Sequence, residues 1–132
     1  MTLTAATIDH VNLVIPADGI PDLVEFYADR LGFEVENRDL YERGEKGFVS
    51  VRLTPTSIIH VQPRDDFEPP TEGNYDHVAV AVEEDAEAVR ESLADAGIEV
   101  EREIDALGAV GTTPSLYVRD PFGYLVEIST AG

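Results

Sequence analysis

One acidic side chain stands in the middle of a segment that otherwise has the composition of a buried strand. Residues 124–129 follow an Asp-Pro-Phe-Gly turn sequence, and their β-branched and apolar side chains predict a strand. Alternation places Glu127 on one face of this strand and Val126 with Ile128 on the other. A buried carboxylate costs free energy unless it is paired, hydrogen-bonded or bound to a metal. Glu127 therefore predicts a partner elsewhere in the chain.

The three histidines are related to that acid by an internal repeat. His10 and His77 each stand in an Asp-His-Val sequence, 67 positions apart, and His60 precedes Glu127 by the same 67 positions. Taken singly, each residue is more simply explained as a hydrogen-bonded strand side chain. Without cysteine, imidazole and carboxylate are the ligands expected for Zn, Fe(II), Ni, Co or Mn. Together the four residues predict a site for one divalent metal ion, with His10, His60, His77 and Glu127 as ligands.

The elements that must position these side chains form two modules with the order βαβββ. Module one covers residues 1–66 and module two covers 67–132, within a single domain. Each module is too small to bury its sheet alone, so the repeat predicts an α+β fold with two like units related by a pseudo-two-fold. Strands are predicted at 8–15, 33–38, 48–53, 57–62, 75–82, 98–102, 115–119 and 124–129, and helices at 21–31 and 85–96.

Two connections and two polar side chains complete the prediction. The acidic segment 63–74, which contains two adjacent prolines, is the predicted linker. The glycine-rich segment 104–114 is predicted as a loop that either closes over a ligand or is only a flexible connection. Arg52 and Tyr117 lie on polar strand faces and are the candidate substrate-binding residues. The alternative is a salt-bridged arginine and a tyrosine at the rim.

The charge of the chain excludes some functions. The chain has 27 acidic residues and nine basic ones, of which one is a lysine, and its formal net charge is −18. Such a surface repels nucleic acid, and it predicts a protein that works at high salt, where self-repulsion is screened. An ordinary acidic cytosolic protein is the alternative. No signal peptide and no membrane-spanning apolar run is evident, which predicts a cytoplasmic location.

Several motifs together resemble the vicinal oxygen chelate superfamily, which includes glyoxalase I, fosfomycin resistance proteins, extradiol dioxygenases and bleomycin-binding proteins. They are the paired DHV strands, LGFEVE, IIHVQP and YVRDPFGYLVEIS. The resemblance implies a small glyoxalase-domain protein whose modules form a cupped mixed sheet, with helices outside and a divalent metal in the cup. It places His10, His60, His77 and Glu127 at the family's first-, fourth-, fifth- and eighth-strand ligand positions. A homodimer is implied as well, because the family's modules often pair between chains.

The resemblance implies a metal-dependent, glyoxalase-like lyase or isomerase that chelates vicinal oxygens of a small substrate. Glu127 is then both a ligand and the catalytic group that moves a proton. Glyoxalase I typically has Glu where this chain has His60, so the substrate stays open. An Fe(II) extradiol-type dioxygenase, for which His10, His77 and Glu127 suffice, is one alternative. The other is a non-enzymatic small-molecule or drug-binding resistance protein, a branch that usually lacks the ligands.

Overall fold

The computed structural model describes residues 2–71 and 73–132, and the chain divides into two compact units, Met1–Phe67 and Glu68–Gly132. Each unit contains one four-stranded sheet with both parallel and antiparallel pairs, together with helical segments. The α+β fold predicted from the sequence is therefore confirmed. Among the described residues, no helix combines the length and the apolar character needed to cross a bilayer.

Unit one has the strand order β1-β4-β3-β2, in which β1 runs parallel to β4 and the other neighbours are antiparallel. Its buried apolar residues lie at alternate positions of the strands and on one side of the helical segments. Successive strand side chains point to opposite faces of a sheet, and helical side chains share a face every three or four residues. The elements are β1 (His10–Pro16), α1 (Ile20–Leu23), a π-helical segment (Val24–Arg30), β2 (Glu34–Glu36), α2 (Arg38–Glu42), β3 (Val49–Thr54) and β4 (Ser57–Arg64).

Unit two repeats this arrangement with the order β5-β8-β7-β6, in which β5 runs parallel to β8. The Asp85 side chain accepts a hydrogen bond from the Ala88 amide and caps helix α3, whose buried residues include Val89 and Leu93. The elements are β5 (Val78–Ala81), α3 (Ala86–Asp95), β6 (Val100–Gly108), β7 (Gly111–Arg119) and β8 (Leu125–Ser129).

The predicted loop over 104–114 is wrong, because this segment belongs to a β-hairpin. Strands β6 and β7 pair from Val100 as far as Gly108 opposite Gly111, and two residues connect them. Gly111 has φ 105°, a conformation that a glycine adopts without the steric cost of a side chain. The segment is thus part of the sheet, and the expectation that it closes over a ligand is withdrawn.

The predicted strand over 33–38 is too long, and a short helix was missed. Strand β2 covers only Glu34–Glu36, and α2 begins at Arg38. Asn37 between them has φ 70°, in the left-handed region where asparagine is several-fold enriched. This change of backbone direction ends the strand.

Candidate functional site

In unit one, the parallel pairing of β1 and β4 brings two histidines together. Asn12 lies opposite His60 in this ladder, and His10 is two positions earlier on the same face of β1. The His10 and His60 ring centroids are 4.5 Å apart. Both rings lie on the more exposed face of the sheet, while Leu13, Ile15 and Val61 are buried on the other. The alternation predicted from the sequence therefore holds at this pair.

His60 is held from two sides by residues of strand β3 and the segment before it. Its Nδ1 lies 2.9 Å from the Ser50 hydroxyl oxygen, and its ring centroid lies 4.4 Å from that of Phe48. Burial lowers the pKa of His60, and the charge of the neighbouring His10 lowers it further. A lowered pKa favours the neutral imidazole, which is the form that binds metals.

In unit two, the equivalent strands bring His77 and Glu127 together. His77 directly precedes β5, whose Ala79 lies opposite Glu127 in the parallel ladder with β8. The His77 Nε2 and Glu127 Oε1 atoms are 3.1 Å apart. Glu127 is 7% exposed, and the Tyr117 hydroxyl donates a 2.6 Å hydrogen bond to its Oε1. The buried acid therefore has the polar partners that its position demands.

The partners of the candidate ligands also obey the 67-residue repeat. Ser50 and His60 face each other across β3 and β4, as Tyr117 and Glu127 do across β7 and β8. In both cases a hydroxyl lies within hydrogen-bonding distance of the candidate ligand. The hydrogen bond to Glu127 and burial raise the pKa of Tyr117. Its hydroxyl therefore stays protonated to a higher pH than that of a free tyrosine. Repeated register thus supplies each unit with a hydroxyl that orients a candidate ligand.

The aspartate of each Asp-His-Val sequence orients the histidine that follows it. The Nδ1 of His10 donates to Asp9 Oδ2 at 2.8 Å, and the Nδ1 of His77 donates to Asp76 Oδ1 at 2.5 Å. A carboxylate on Nδ1 fixes the tautomer in which Nε2 carries the free electron pair. Sequence reasoning noticed the repeated Asp-His pairs but missed this role, which the adjacency of the two residues already indicates.

These side chains fit a divalent metal. Metal-bound nitrogen and oxygen atoms lie about 2.0–2.2 Å from zinc, so two donors stand roughly 3.0–3.4 Å apart between a right angle and the tetrahedral angle. The 3.1 Å between His77 Nε2 and Glu127 Oε1 matches that spacing. Within each unit, the described residues provide a pair of donors and not a group of three or more.

The structure places the two candidate substrate-binding residues in different surroundings. The guanidinium of Arg52, in unit one, is 3.0 Å from a Glu36 carboxylate oxygen and also donates to the Thr54 carbonyl. Unit two has the equivalent ion pair of Arg119 with Glu101, at 2.9 Å. Tyr117, by contrast, lines a cavity of about 570 Å³ in unit two. This volume suits a small organic ligand.

The cavity wall contains an arginine, Arg102, that was not among the predicted site residues. Tyr75, Asp76, Arg102 and Tyr117 are among its lining residues. The Arg102 Cζ atom lies 4.4 Å from the centroid of the Tyr117 ring, within the range of a cation–π contact. Arg102 was missed because the register shift between Val100 and Arg102 breaks the alternation that a strand prediction assumes.

Tyr75, also in the cavity wall, provides a test of the geometry of unit two. Its hydroxyl donates to the Leu125 carbonyl at 3.1 Å, and burial, followed by the charge of Asp120, raises the pKa of Tyr75 to about 12. The unfolded phenol has a pKa near 10, so the neutral form is favoured in the fold. This contribution to stability is complete below about pH 10 and is lost as the pH rises toward the folded value.

We expect an ultraviolet titration of the tyrosines to contain a component near pH 12 that is absent from Tyr75→Phe. Tyr41→Phe, which removes a half-buried phenol of unit one, is the matched control and should keep that component. If Tyr75→Phe instead removes a component near the ordinary tyrosine pKa of about 10, this phenol is not buried in the fold.

The sequence of the chain matches a family model and two curated proteins. The family model described as the Glyoxalase/Bleomycin resistance protein/Dioxygenase superfamily matches residues 7–128. The chain is 33% identical over 127 residues to Virulence protein STM3117 of Salmonella typhimurium, covering 92% of this chain and 82% of that protein. It is also 33% identical to the Glyoxalase domain-containing protein RDO1 of Mycosarcoma maydis, covering 97% of this chain and 70% of that protein.

The fold comparison agrees with the sequence comparison. The crystal structure of the Salmonella protein superposes with a TM-score of 0.74 at 26% identity, covering 97% of this chain and 98% of that chain.

Proposed function

Because the chain belongs to the Glyoxalase/Bleomycin resistance protein/Dioxygenase superfamily, we propose that it is a divalent-metal-dependent enzyme of the glyoxalase type. Members of this superfamily are often enzymes and bind a divalent metal. In this proposal His10, His60, His77 and Glu127 are the metal ligands. The reaction is a lyase or isomerase step on a small substrate with two neighbouring oxygen atoms.

The observation that carries the proposal is the meeting of His77 Nε2 and Glu127 Oε1 at 3.1 Å, with Asp76 holding the other ring nitrogen. A histidine with only a structural role does not need a carboxylate beside each of its two ring nitrogens. A metal ligand needs one ring nitrogen anchored and the other directed at a second donor. The Asp9–His10 pair repeats the anchoring contact in unit one.

A bound divalent ion would supply positive charge that stabilises an anionic oxygen of the substrate. The protein's own groups then have distinct tasks. Tyr117 donates a hydrogen bond to Glu127 Oε1 and thereby fixes the orientation of that carboxylate. Glu127, as an oriented carboxylate with little exposure to water, accepts a proton from a carbon next to a carbonyl and returns it.

The proposal is tested by metal analysis of protein purified without added metal, followed by assays with α-keto hemithioacetals and with catechols. We expect a bound divalent metal and turnover of a substrate of the first kind. Protein that binds no divalent metal under titration would overturn the proposal and favour a non-enzymatic binding protein.

His60 separates this proposal from the Fe(II) dioxygenase alternative. The dioxygenase set of two histidines and one carboxylate is complete with His10, His77 and Glu127. We expect His60→Ala to lower metal affinity about tenfold or more, the scale of loss seen even for residues that only support ligands. Ser50→Ala, which removes the hydroxyl beside His60 Nδ1, is the companion variant and should lower affinity less. Wild-type affinity in His60→Ala, or oxygen consumption with a catechol, would favour the dioxygenase.

A further inference from the structure

The wall of the unit-two cavity departs from the repeat at one place, strand β6. In unit one the ladder of β2 with β3 is regular and sets Glu36 opposite Ser50. In unit two the register shifts between Val100 and Arg102, so that Arg102 lies opposite Tyr117. Such a β-bulge re-aims side chains and is over-represented next to active sites.

The bulge brings Arg102 onto the face of the sheet that carries the candidate ligand. Residues directly opposite each other in an antiparallel ladder share a face. Arg102 is opposite Tyr117, and Tyr117 is opposite Glu127. A continuous row of side chains therefore leads from the guanidinium, stacked at 4.4 Å on the Tyr117 ring, to the carboxylate that this tyrosine holds.

The charge of Arg102 is unusual in so acidic a chain. Six arginines form ion pairs with carboxylates among the described residues, and Arg102 does not belong to these six. Its neighbour Glu101 is paired with Arg119 instead, at 2.9 Å. Of the acids that line the cavity, Asp76 is engaged by the His77 ring. Arg102 thus presents a positive charge to the cavity, whereas both acids of the described lining, Asp76 and Glu101, are paired with other side chains.

We propose that Arg102 binds an oxyanion group, a carboxylate or a phosphonate, of the substrate that enters this cavity. This inference rests on the proposed function and specifies its substrate class: a small molecule with neighbouring oxygens at one end and an anionic group at the other. The planar guanidinium matches two oxygen atoms of such a group at once. Stacking on Tyr117 holds its plane before the ligand arrives, which reduces the ordering cost of binding.

The test uses three probes of similar shape, benzoate, phenylphosphonate and neutral benzamide, titrated by NMR into metal-free protein at one fixed ionic strength. We expect wild type to prefer the two anions to benzamide. Arg102→Gln should weaken anion binding about tenfold or more, the effect expected for losing a charge-assisted hydrogen bond. Arg90→Gln, which removes an arginine paired with Glu103 in the same unit, is the matched control and should bind as wild type does.

A second variant, Arg102→Lys, keeps the positive charge but removes the planar fork, and it carries the test if Arg102→Gln does not fold. We expect it to bind the anions more weakly than wild type. Equal binding of benzoate and benzamide by wild type, or wild-type anion affinity in the Arg102 variants, would overturn the inference. Metal titration of the same samples separates the two proposals. Anion binding without metal binding would overturn only the proposed function. Metal binding without a preference for anions would overturn only the role of Arg102.

Discussion

Glu127→Gln should lower the affinity for Zn²⁺ or Mn²⁺ by about 100-fold or more, because it replaces the charged donor of the proposed metal site by a neutral amide. The fold should survive this change. The amide oxygen can still accept the 2.6 Å hydrogen bond from Tyr117, and the side-chain volume is almost unchanged. The measurement is isothermal titration of metal into metal-free protein, with a thermal melt to confirm folding.

The matched control for this variant is Glu83→Gln, which makes the same chemical change at an exposed acid of unit two. It should bind metal as wild type does. His10→Ala provides the equivalent test in unit one, since it removes the imidazole that Asp9 orients. If Glu127→Gln and His10→Ala both keep wild-type metal stoichiometry and affinity, these residues have only structural roles and the metal proposal fails.

The equivalence of the two units was predictable because the 67-residue repeat relates His10 to His77 and His60 to Glu127. His10 with His60, and His77 with Glu127, come together through the parallel ladders β1–β4 and β5–β8. Alternation then assigns each side chain to a face, with Val126 and Ile128 on the face opposite Glu127. Local periodicity and a repeat therefore sufficed for the fold class, whereas the pairing within each unit comes from the parallel ladders.

Features that depend on strand register were not predictable in the same way. The ion pair of Arg52 with Glu36 forms because β2 and β3 align these residues from 16 positions apart, and no local pattern specifies that alignment. The position of Arg102 depends on a bulge, which is one extra residue in a ladder. The hairpin over 104–114 was misassigned because its glycines and proline indicated a loop, whereas cross-strand pairing decided the outcome.

We expect the thermal stability of the protein to rise steeply with salt, because its negative charge is largely uncompensated. Six arginines are already committed to ion pairs with individual carboxylates, and the formal net charge is −18. The Debye length shrinks from about 30 Å at 0.01 M salt to about 3 Å at 1 M, so repulsion between separate acids is screened over this range. The melting temperature should rise by roughly 10 °C or more between low and molar KCl, which corresponds to a few kcal/mol in the free energy of unfolding.

Repulsion between acidic side chains predicts a second result, which a general effect of salt on hydrophobic burial would not produce. A triple variant, Glu68→Gln, Glu83→Gln and Glu91→Gln, removes three negative charges from exposed positions. It should melt at a higher temperature than wild type at low salt and converge with it at molar KCl, because screening removes the repulsion that the substitutions relieve. Melts in sucrose, which strengthens burial without screening charge, should leave the difference between the two proteins intact. A wild-type melting temperature that does not change with KCl, or a triple variant that gains nothing at low salt, would contradict adaptation to high salt and favour an ordinary acidic protein.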